Sequence, residues 1–391
     1  MKDKHIGKIK QIFGVGWEAY CKNNPVRPAI TMNVHKMMAC RTELMGFRQW
    51  VCPSCGVSRK VPHTCKSRFC SICGMVATEN WIRRQFGFLL NCSYQHVVVT
   101  IPFEVRWIAK RCRKEVLCAM SRIAAVVMME WAQERGFQIG IVSFFHSFGE
   151  TLQSHPHFHM IVTSGGLTEK GTWHVERSAF PAHILMPRYR ARMLSFLKEL
   201  LLSGKVKTKA SKWFHIKELA KTTTHWQFYV EKITHNQRSM ILYITRYVKR
   251  MIMSEKRIVD WDNKVVSFMT HKGRLLVYKL DQFIACLVQH IPDRYFHLVR
   301  YYGIYAPASR KRYAKALPFW GTLQKRFPPS TWRDRQAQRL GYDPLHCQTC
   351  RTDLLPLVVS YPRKWAELTW QQLLDANGIA YQLKLEGDNT S

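Results

Sequence analysis

Three histidines alternate along one short stretch, Ser154 to Thr163, with the sequence SHPHFHMIVT. Alternate side chains of a strand share one face, about 7 Å apart, so His155, His157 and His159 can close on one divalent ion. The regular strand can begin after Pro156, which has no backbone N–H to donate, and this makes His155 the weakest candidate. The stretch predicts a metal site on a strand. A solvated, histidine-rich edge strand is the simpler alternative.

A second strand precedes the histidines and can supply a further ligand. Residues Ile139 to His146 have strand character, and a short polar segment connects them to the histidine stretch. So short a connection predicts an antiparallel hairpin. A turn centred near Thr151 would place His146 opposite His157 on the same face. Two other side chains near the turn are alternative ligands, Glu150 and Gln153.

Two CxxC motifs are the most specific local signal in the sequence. Cys52 and Cys55 form the first motif, Cys70 and Cys73 form the second, and 14 residues separate Cys55 from Cys70. This spacing is close to that at which two such turns bind one zinc ion through four thiolates. The sequence therefore predicts about one structural zinc per chain.

Four other cysteines leave further zinc sites open. Cys40 and Cys65 could form a second site with His35 or His63, although free buried thiols are an equal alternative. A third CxxC motif near the C-terminus is half a zinc site that needs partners from elsewhere. This possible C-terminal zinc site consists of Cys347 and Cys350.

Two tyrosines four residues apart lie on a predicted helix, Ser239 to Ser254. On a helical wheel, Tyr243 and Tyr247 lie to one side of the apolar stripe, together with Arg250. Hydroxyl groups beside basic residues are placed to meet a phosphate. Two packing tyrosines on the flank of a helix are the alternative.

The elements that must position these residues have clear patterns. The sequence predicts a buried strand at Tyr94 to Ile101, a long packing helix at Arg106 to Arg135 that stops at Gly136, and an amphipathic helix at Arg188 to Leu202. Residues 258–290 are predicted to be rich in strand and to end in a short helix. Residues 295–326 interleave aromatic and basic residues. This pattern is typical of a surface that follows a nucleic-acid backbone and stacks its bases, and a solvated basic face is an equal alternative.

The charge balance points to a polyanionic partner. The 391 residues include 60 Lys and Arg against 26 Asp and Glu, a net charge of +34. Nucleic acid fits this excess better than a membrane surface, because the basic residues are spread along the chain. We expect no membrane association: there is no run of 18 uncharged apolar residues. The N-terminal stretch has no secretory pattern, so we expect the thirteen cysteines to stay reduced in a bacterial cytoplasm. There we expect the protein to be associated with the nucleoid DNA.

The order of these motifs resembles that of a known family. The segments CPSCG, CKSRFCSIC, HVVVTIP, FHSFGETLQSHPHFHMIV, YITRYVKR and RYYGIYAP are similar to those of rolling-circle insertion-sequence transposases of the HUH endonuclease superfamily, which have two catalytic tyrosines and an N-terminal zinc-binding domain. The resemblance covers roughly residues 35–355. One departure is Phe69, where relatives tend to have histidine just before the third cysteine of the zinc ribbon.

The resemblance implies a fold, a reaction and roles for residues. It implies an α+β fold with an HUH-type central antiparallel sheet and flanking helices, preceded by a small zinc-ribbon domain. His157 and His159 would hold Mg²⁺ or Mn²⁺, and Tyr243 or Tyr247 would attack single-stranded DNA to leave a 5′-phosphotyrosine. The position of Arg250 beside the tyrosines on the predicted helix adds a cation that can support this attack. Structural Zn²⁺ would be held by the ribbon cysteines. The oligomeric state stays open.

The implied organisation has four parts: a basic N-terminal arm or short helix at 1–38, a zinc-ribbon DNA-binding domain at 39–80, an HUH nuclease domain at 81–292 and a basic aromatic region with a loose tail at 293–391. Two other functions remain. A replication initiator or relaxase would need the same histidines and tyrosine. A non-catalytic zinc-ribbon regulator would bind DNA without cutting it.

Overall fold

The computed structural model describes residues 7–205, 226–234, 252–316, 331–361 and 368–379. The described helices are α1 (Lys8–Asn23), α2 (Pro28–Ala39), α3 (Ser71–Phe88), α4 (Arg106–Arg111), α5 (Arg113–Gln133), α6 (Ala182–Leu202), α7 (Leu280–Val288), α8 (Pro307–Ala316), α9 (Trp332–Leu340) and α10 (Trp370–Asp375). The described strands are β1 (Phe47–Val51), β2 (Ser58–Pro62), β3 (Tyr94–Thr100), β4 (Phe137–Gln138), β5 (Gly140–Phe148), β6 (Ser154–Thr163), β7 (Gly165–Thr168), β8 (Trp173–Val175), β9 (Gln227–Val230), β10 (Ile258–Trp261), β11 (Val265–Met269), β12 (Leu275–Lys279), β13 (Val299–Gly303) and β14 (Leu355–Val359).

A five-stranded sheet holds the histidine strand at its centre. The strand order is β13-β5-β6-β3-β9, and every described pairing in it is antiparallel. The predicted hairpin is confirmed, because β5 pairs with β6 and His146 lies opposite His157. The chain therefore has the predicted α+β class, a mixture of helices and antiparallel sheet.

The two faces of β6 separate packing from chemistry. Phe158, Met160 and Val162 face the largest apolar core, in which α5 and α6 cover the sheet. His157 and His159 occupy the alternate positions, on the opposite face. Every residue from Pro156 to Thr163 is buried, so the strand is not a solvated edge.

The predicted helix at Arg106 to Arg135 is two helices in the structure. Cys112 separates α4 from α5, and its ψ of 59° lies outside the helical region. The end of α5 is as predicted, since Gly136 follows it with a φ of 80°. A glycine adopts this left-handed conformation without a Cβ clash.

Of the two predictions for the N-terminal segment, a basic arm or a short helix, the described residues form helices. Helices α1 and α2 bury Ile12, Phe13 and Val34 completely, in a core shared with α7 and α10. The Lys10 ammonium group hydrogen-bonds the carbonyl of Cys40 at 2.9 Å and the Asn377 side chain at 2.8 Å. The sequence left both alternatives open because this stretch has no clear periodicity, and tertiary packing buries its apolar side chains all the same.

None of the helices in the described ranges is long and apolar enough to cross a membrane.

Candidate functional site

Three buried histidines converge on the face of the central sheet opposite the main core. The ligand atoms of His146, His157 and His159 all lie within 4.8 Å of one another. His146 Nδ1 lies 2.7 Å from His157 Nε2, and each residue is less than a tenth exposed. Strands β5 and β6 bring the rings together because facing residues of an antiparallel pair have adjacent side chains. Three imidazoles at this separation are a donor set for a divalent transition-metal ion.

Burial keeps these imidazoles neutral, the form that binds metal. It lowers the pKa of His157 to about 4 and the pKa of His159 well below its ordinary value. Burial also lowers the pKa of His146, and the neighbouring charges of His157, His159 and Arg68 lower it further. Metal binding to this group would therefore not compete with protonation near neutral pH.

Two of the histidines have their second nitrogen held by the protein. His157 Nδ1 donates to the backbone carbonyl of His155 at 2.7 Å, which leaves Nε2 for a metal. His159 Nδ1 lies 2.9 Å from His96 Nε2, and His96 Nδ1 lies 3.1 Å from the Glu231 carboxylate. We assign a proton to each Nδ1, so that His159 donates to His96 and His96 donates to Glu231. This chain of hydrogen bonds is a carboxylate–histidine relay that orients His159 as a metal ligand.

His155 lies outside this group of three. It is half-buried, and its ring centroid is 5.0 Å from that of His157. The alternative ligands near the turn are also elsewhere. Glu150 accepts a hydrogen bond from the Lys272 amide at 3.0 Å, and Gln153 is exposed. Of the candidates that the sequence indicated beside His157 and His159, only His146 joins the group.

The predicted tyrosine helix lies outside the described residues. Tyr243, Tyr247 and Arg250 all fall in the segment 235–251. Their roles stay predictions from the sequence.

The cysteines form two separate clusters, which corrects the predicted pairing of the first two CxxC motifs. Cluster A contains four buried residues, Cys40, Cys65, Cys70 and Cys73. Two of its sulfur pairs, Cys40 with Cys73 and Cys65 with Cys73, are 3.6 Å apart. Tetrahedral zinc with bonds of about 2.3 Å needs sulfur atoms about 3.8 Å apart, so the geometry fits zinc.

Cluster B joins the first CxxC motif to the third across almost the whole chain. It contains Cys52, Cys55, Cys347 and Cys350, and the Cys55 and Cys347 sulfurs are 3.7 Å apart. Hydrogen bonds from the Thr352 hydroxyl and the Cys55 backbone lower the pKa of Cys52 to about 6, which favours the thiolate that binds metal.

Cluster B is built from two turns with the same hydrogen bonds. The Gly56 amide donates to the Cys52 carbonyl at 3.0 Å, and the Arg351 amide donates to the Cys347 carbonyl at 2.8 Å. Gly56 and Arg351 both have left-handed φ values, 70° and 54°. This repeated turn presents two sulfurs to one point, and the pairing of β1 with β14 brings the turns together.

The predicted single site fails for a structural reason. Cys52 and Cys55 lie in the turn between β1 and β2, whereas Cys70 and Cys73 lie at the start of α3. The end of α2 supplies Cys40 to the second pair instead. The sequence offered only a partial signal for the correct arrangement, because seven cysteines lie outside the three CxxC motifs and their positions do not say which two complete a set of four. His96 and Glu231 carried no comparable signal, because neither belongs to a spaced motif.

Comparisons with known proteins agree with the order of these sites along the chain. Residues 12–101 match a family model described as "Transposase zinc-binding domain", and residues 140–313 match one described as "Putative transposase". The first range includes cluster A and half of cluster B. The second range includes His146, His157 and His159.

Two curated relatives align over most of the chain. The "Transposase for insertion sequence element IS801" of Pseudomonas savastanoi pv. phaseolicola is 29% identical over 95% of this chain and 93% of its own length. The "Putative transposase y4qJ" of Sinorhizobium fredii is 25% identical over 83% of this chain and 89% of its own length. No solved structure matches the chain.

Proposed function

Because the chain belongs to the insertion-sequence transposases with a zinc-binding domain, similar to that of IS801, we propose that it nicks and rejoins single-stranded DNA at the ends of a mobile element through a 5′-phosphotyrosine intermediate. The observation that carries this proposal is the group of three buried histidines on the neighbouring strands β5 and β6, with its supporting hydrogen bond from His159 to His96. A catalytic metal site needs such neutral, oriented ligands.

The histidine group would hold Mg²⁺ or Mn²⁺. When bound, the ion would polarise the scissile phosphate and withdraw charge from the transition state. Mg²⁺ prefers oxygen ligands, and the described group offers only imidazole nitrogens, so Mn²⁺ is the better ion with which to test the site.

The tyrosines would supply the nucleophile. The hydroxyl of Tyr243 or Tyr247 loses its proton and attacks the phosphorus, the bond to the 3′ oxygen breaks, and that oxygen leaves as a hydroxyl group. An ordinary tyrosine has a pKa near 10, so forming the phenolate at pH 7 costs about 4 kcal/mol without help from the site. Arg250 and Lys249 would offer cationic support. The phosphodiester energy is conserved in the protein–DNA bond for rejoining.

The two cysteine clusters would each hold one structural zinc. The match to a zinc-binding domain and the two sets of four sulfurs support structural Zn²⁺. We propose Cys40, Cys65, Cys70 and Cys73 as the ligands of one ion and the four cysteines of cluster B as the ligands of the other.

The test is covalent capture. The purified chain with Mn²⁺ should cleave a single-stranded oligonucleotide carrying its element's end and remain attached to the 5′ phosphate of the downstream fragment, as a denaturing gel of the 3′-labelled oligonucleotide would show. His159→Ala and the double variant Tyr243→Phe, Tyr247→Phe should both lose cleavage. His183→Ala, on α6 outside the histidine group, is the matched control. Cleavage without a protein-linked product would exclude the tyrosine mechanism.

A further inference from the structure

A basic and aromatic cavity of 930 Å³ borders cluster A, whose Cys65 and Cys73 line it. The end of α2 forms one wall, the face of β1 and β2 forms the next, and α3 and α9 close it. Helices α2 and α3 flank cysteines of cluster A, and strands β1 and β2 flank two cysteines of cluster B. Zinc ions bound at the two clusters would therefore fix the positions of the walls. Its volume is within the range of about 300–1,000 Å³ that ligand pockets occupy.

The charge of this cavity has one sign. No acidic residue lines it. The five cations in its lining are Lys36, Arg41, Arg48, Lys66 and Arg335. Arg48 and Lys66 are exposed. Cations gathered in one concavity without an acidic residue in its lining focus a positive potential that attracts phosphates.

Two of these cations are held in an unusual backbone conformation. Arg41 and Lys66 have φ values of 65° and 52°. Each directly follows a cysteine of cluster A, where the turn requires a left-handed residue. In cluster B the two equivalent positions are Gly56, which meets the requirement without strain, and Arg351, which is outside the lining of the cavity. Cluster A has long cations at its two positions, and both line the cavity.

Aromatic faces are available beside the charges. Trp332 is 39% exposed and Tyr361 is 81% exposed, and both line the cavity with the half-buried Trp50. Trp81 is different, because it packs edge-on against Phe144 of the central sheet at 5.4 Å and so serves as a wall. Exposed rings among cations are the combination that binds single-stranded DNA, by stacking bases while the backbone is neutralised.

Helix α9 carries Trp332 and Arg335 and is fixed to cluster B. The Arg333 guanidinium lies 2.6 Å from the Asp343 carboxylate and 2.7 Å from that of Asp353, which is on the loop after Cys350. The Thr331 hydroxyl and the Asp334 backbone complete a capping box at the start of the helix. These ion pairs connect the helix that carries Trp332 to the segments on both sides of the Cys347–Cys350 turn.

We propose that this cavity binds unpaired nucleotides of the DNA strand, with bases stacked on Trp332 and Tyr361 and phosphates on Arg48, Lys66 and Arg41. The inference rests on the proposed function, since it takes single-stranded DNA as the substrate, and it adds a binding site on the zinc-binding part of the chain. The zinc-binding part then contacts unpaired bases rather than only the duplex backbone.

Photocrosslinking tests the location of the bound strand. The full chain carrying Tyr243→Phe and Tyr247→Phe is mixed, without added Mn²⁺, with a bromodeoxyuridine-labelled single strand of about 16 nucleotides. Irradiation and peptide mass spectrometry should find crosslinks at Trp332, Tyr361 or Trp50. Crosslinks confined to peptides outside the cavity would overturn the inference.

Binding measurements with the same oligonucleotide test the chemistry. Trp332→Ala should weaken binding about fivefold or more, and Trp332→Phe should restore most of it, because phenylalanine keeps a stacking face. Arg48→Ala should reduce the slope of log affinity against log salt by about 0.7. Lys170→Ala, in the exposed β7–β8 turn away from the cavity, is the control and should leave the slope unchanged. An equal loss in the control, or equal competition by duplex DNA, would overturn the proposal.

The same experiments separate this inference from the proposed reaction. Crosslinks in the cavity, together with no nicking by the wild-type chain in Mn²⁺, would retain the binding site and reject the tyrosine chemistry. Nicking by the wild-type chain, together with normal DNA binding by Trp332→Ala and Arg48→Ala, would reject the binding site and retain the chemistry.

Discussion

At the scale of single residues, the histidines differ in what holds their outer nitrogens. A backbone carbonyl fixes His157, whereas a side chain, His96, stands behind His159 and is itself paired with Glu231. A side-chain relay can be weakened by mutation without unfolding the strand. Glu231 is therefore the best point at which to test whether the group is a metal site.

We predict that Glu231→Gln lowers Mn²⁺ affinity about tenfold or more, because the amide no longer stabilises the proton on His96 Nδ1 and the His159 ring loses its fixed tautomer. Isothermal titration of the wild-type and variant chains measures this. Glu176→Gln is a matched control, since Glu176 lies 3.9 Å from His174 at a histidine–carboxylate pair away from the group. Equal affinities in all three proteins would remove Glu231 from the site.

The two tyrosines should have alternating roles. In the predicted helix they are one turn apart, about 5–6 Å, so one phosphate can be attacked in line by only one hydroxyl at a time. Tyr243→Phe and Tyr247→Phe should each block transposition, while at least one of them retains single-step nicking. A transposition assay beside the nicking gel measures both. Wild-type transposition by either variant would show that its tyrosine serves only in packing.

At the scale of elements, cluster A is part of the same core as the turn of the histidine hairpin. Leu152, at that turn, is fully buried in the core that contains Phe69 and Cys70. His290 Nε2 lies 2.8 Å from the Leu152 carbonyl, which ties the turn to the segment after α7. Cluster B packs instead in a small core of its own with Leu354. The two clusters should therefore affect the histidine group differently.

We predict about two zinc ions per chain, and about one in each of the variants Cys70→Ser and Cys347→Ser. Cys70→Ser should also lower nicking of saturating oligonucleotide, because its cluster supports the histidine hairpin. Cys347→Ser should lower DNA binding more than nicking. Elemental analysis and single-turnover nicking measure these effects. One zinc in the wild-type chain, or equal nicking loss in the two variants, would contradict this assignment.

At the scale of the whole molecule, distant segments of the chain close one core. Residues from α1, α2, the cluster A loop, the segment 252–291 and α10 pack together. The N-terminal region is therefore completed by residues from the second half of the sequence. Its stability should depend on the C-terminal helix α10, although cluster A lies more than 290 residues earlier.

We predict that Leu373→Ala, a fully buried position on α10, lowers the free energy of unfolding by about 2–5 kcal/mol through the cavity that it leaves. Leu355→Ala is the control, because Leu355 is 52% exposed and its loss should cost about 0.5 kcal/mol or less. Urea unfolding followed by tryptophan fluorescence measures both. Similar losses would show that α10 does not complete this core.

The sequence by itself determined the local features of the chain. Alternation along Ser154 to Thr163 predicted the strand and the face of its histidines, and the short connection to His146 predicted the hairpin register, because strand periodicity and turn length are local properties. The order of motifs also predicted the transposase family, which the comparisons confirm. These conclusions needed no knowledge of how distant segments meet.

Only the tertiary structure decided which distant residues share a site. Cysteine spacing favoured pairing Cys52 with Cys70, but the pairing of β1 with β14 brought Cys347 to Cys52, and the end of α2 brought Cys40 to Cys70. His96 and Glu231 reached His159 through the neighbouring strands β3 and β9. A metal site forms from whichever thiolate or imidazole donors the packed core places within about 4 Å of one another, and sequence separation does not fix that distance.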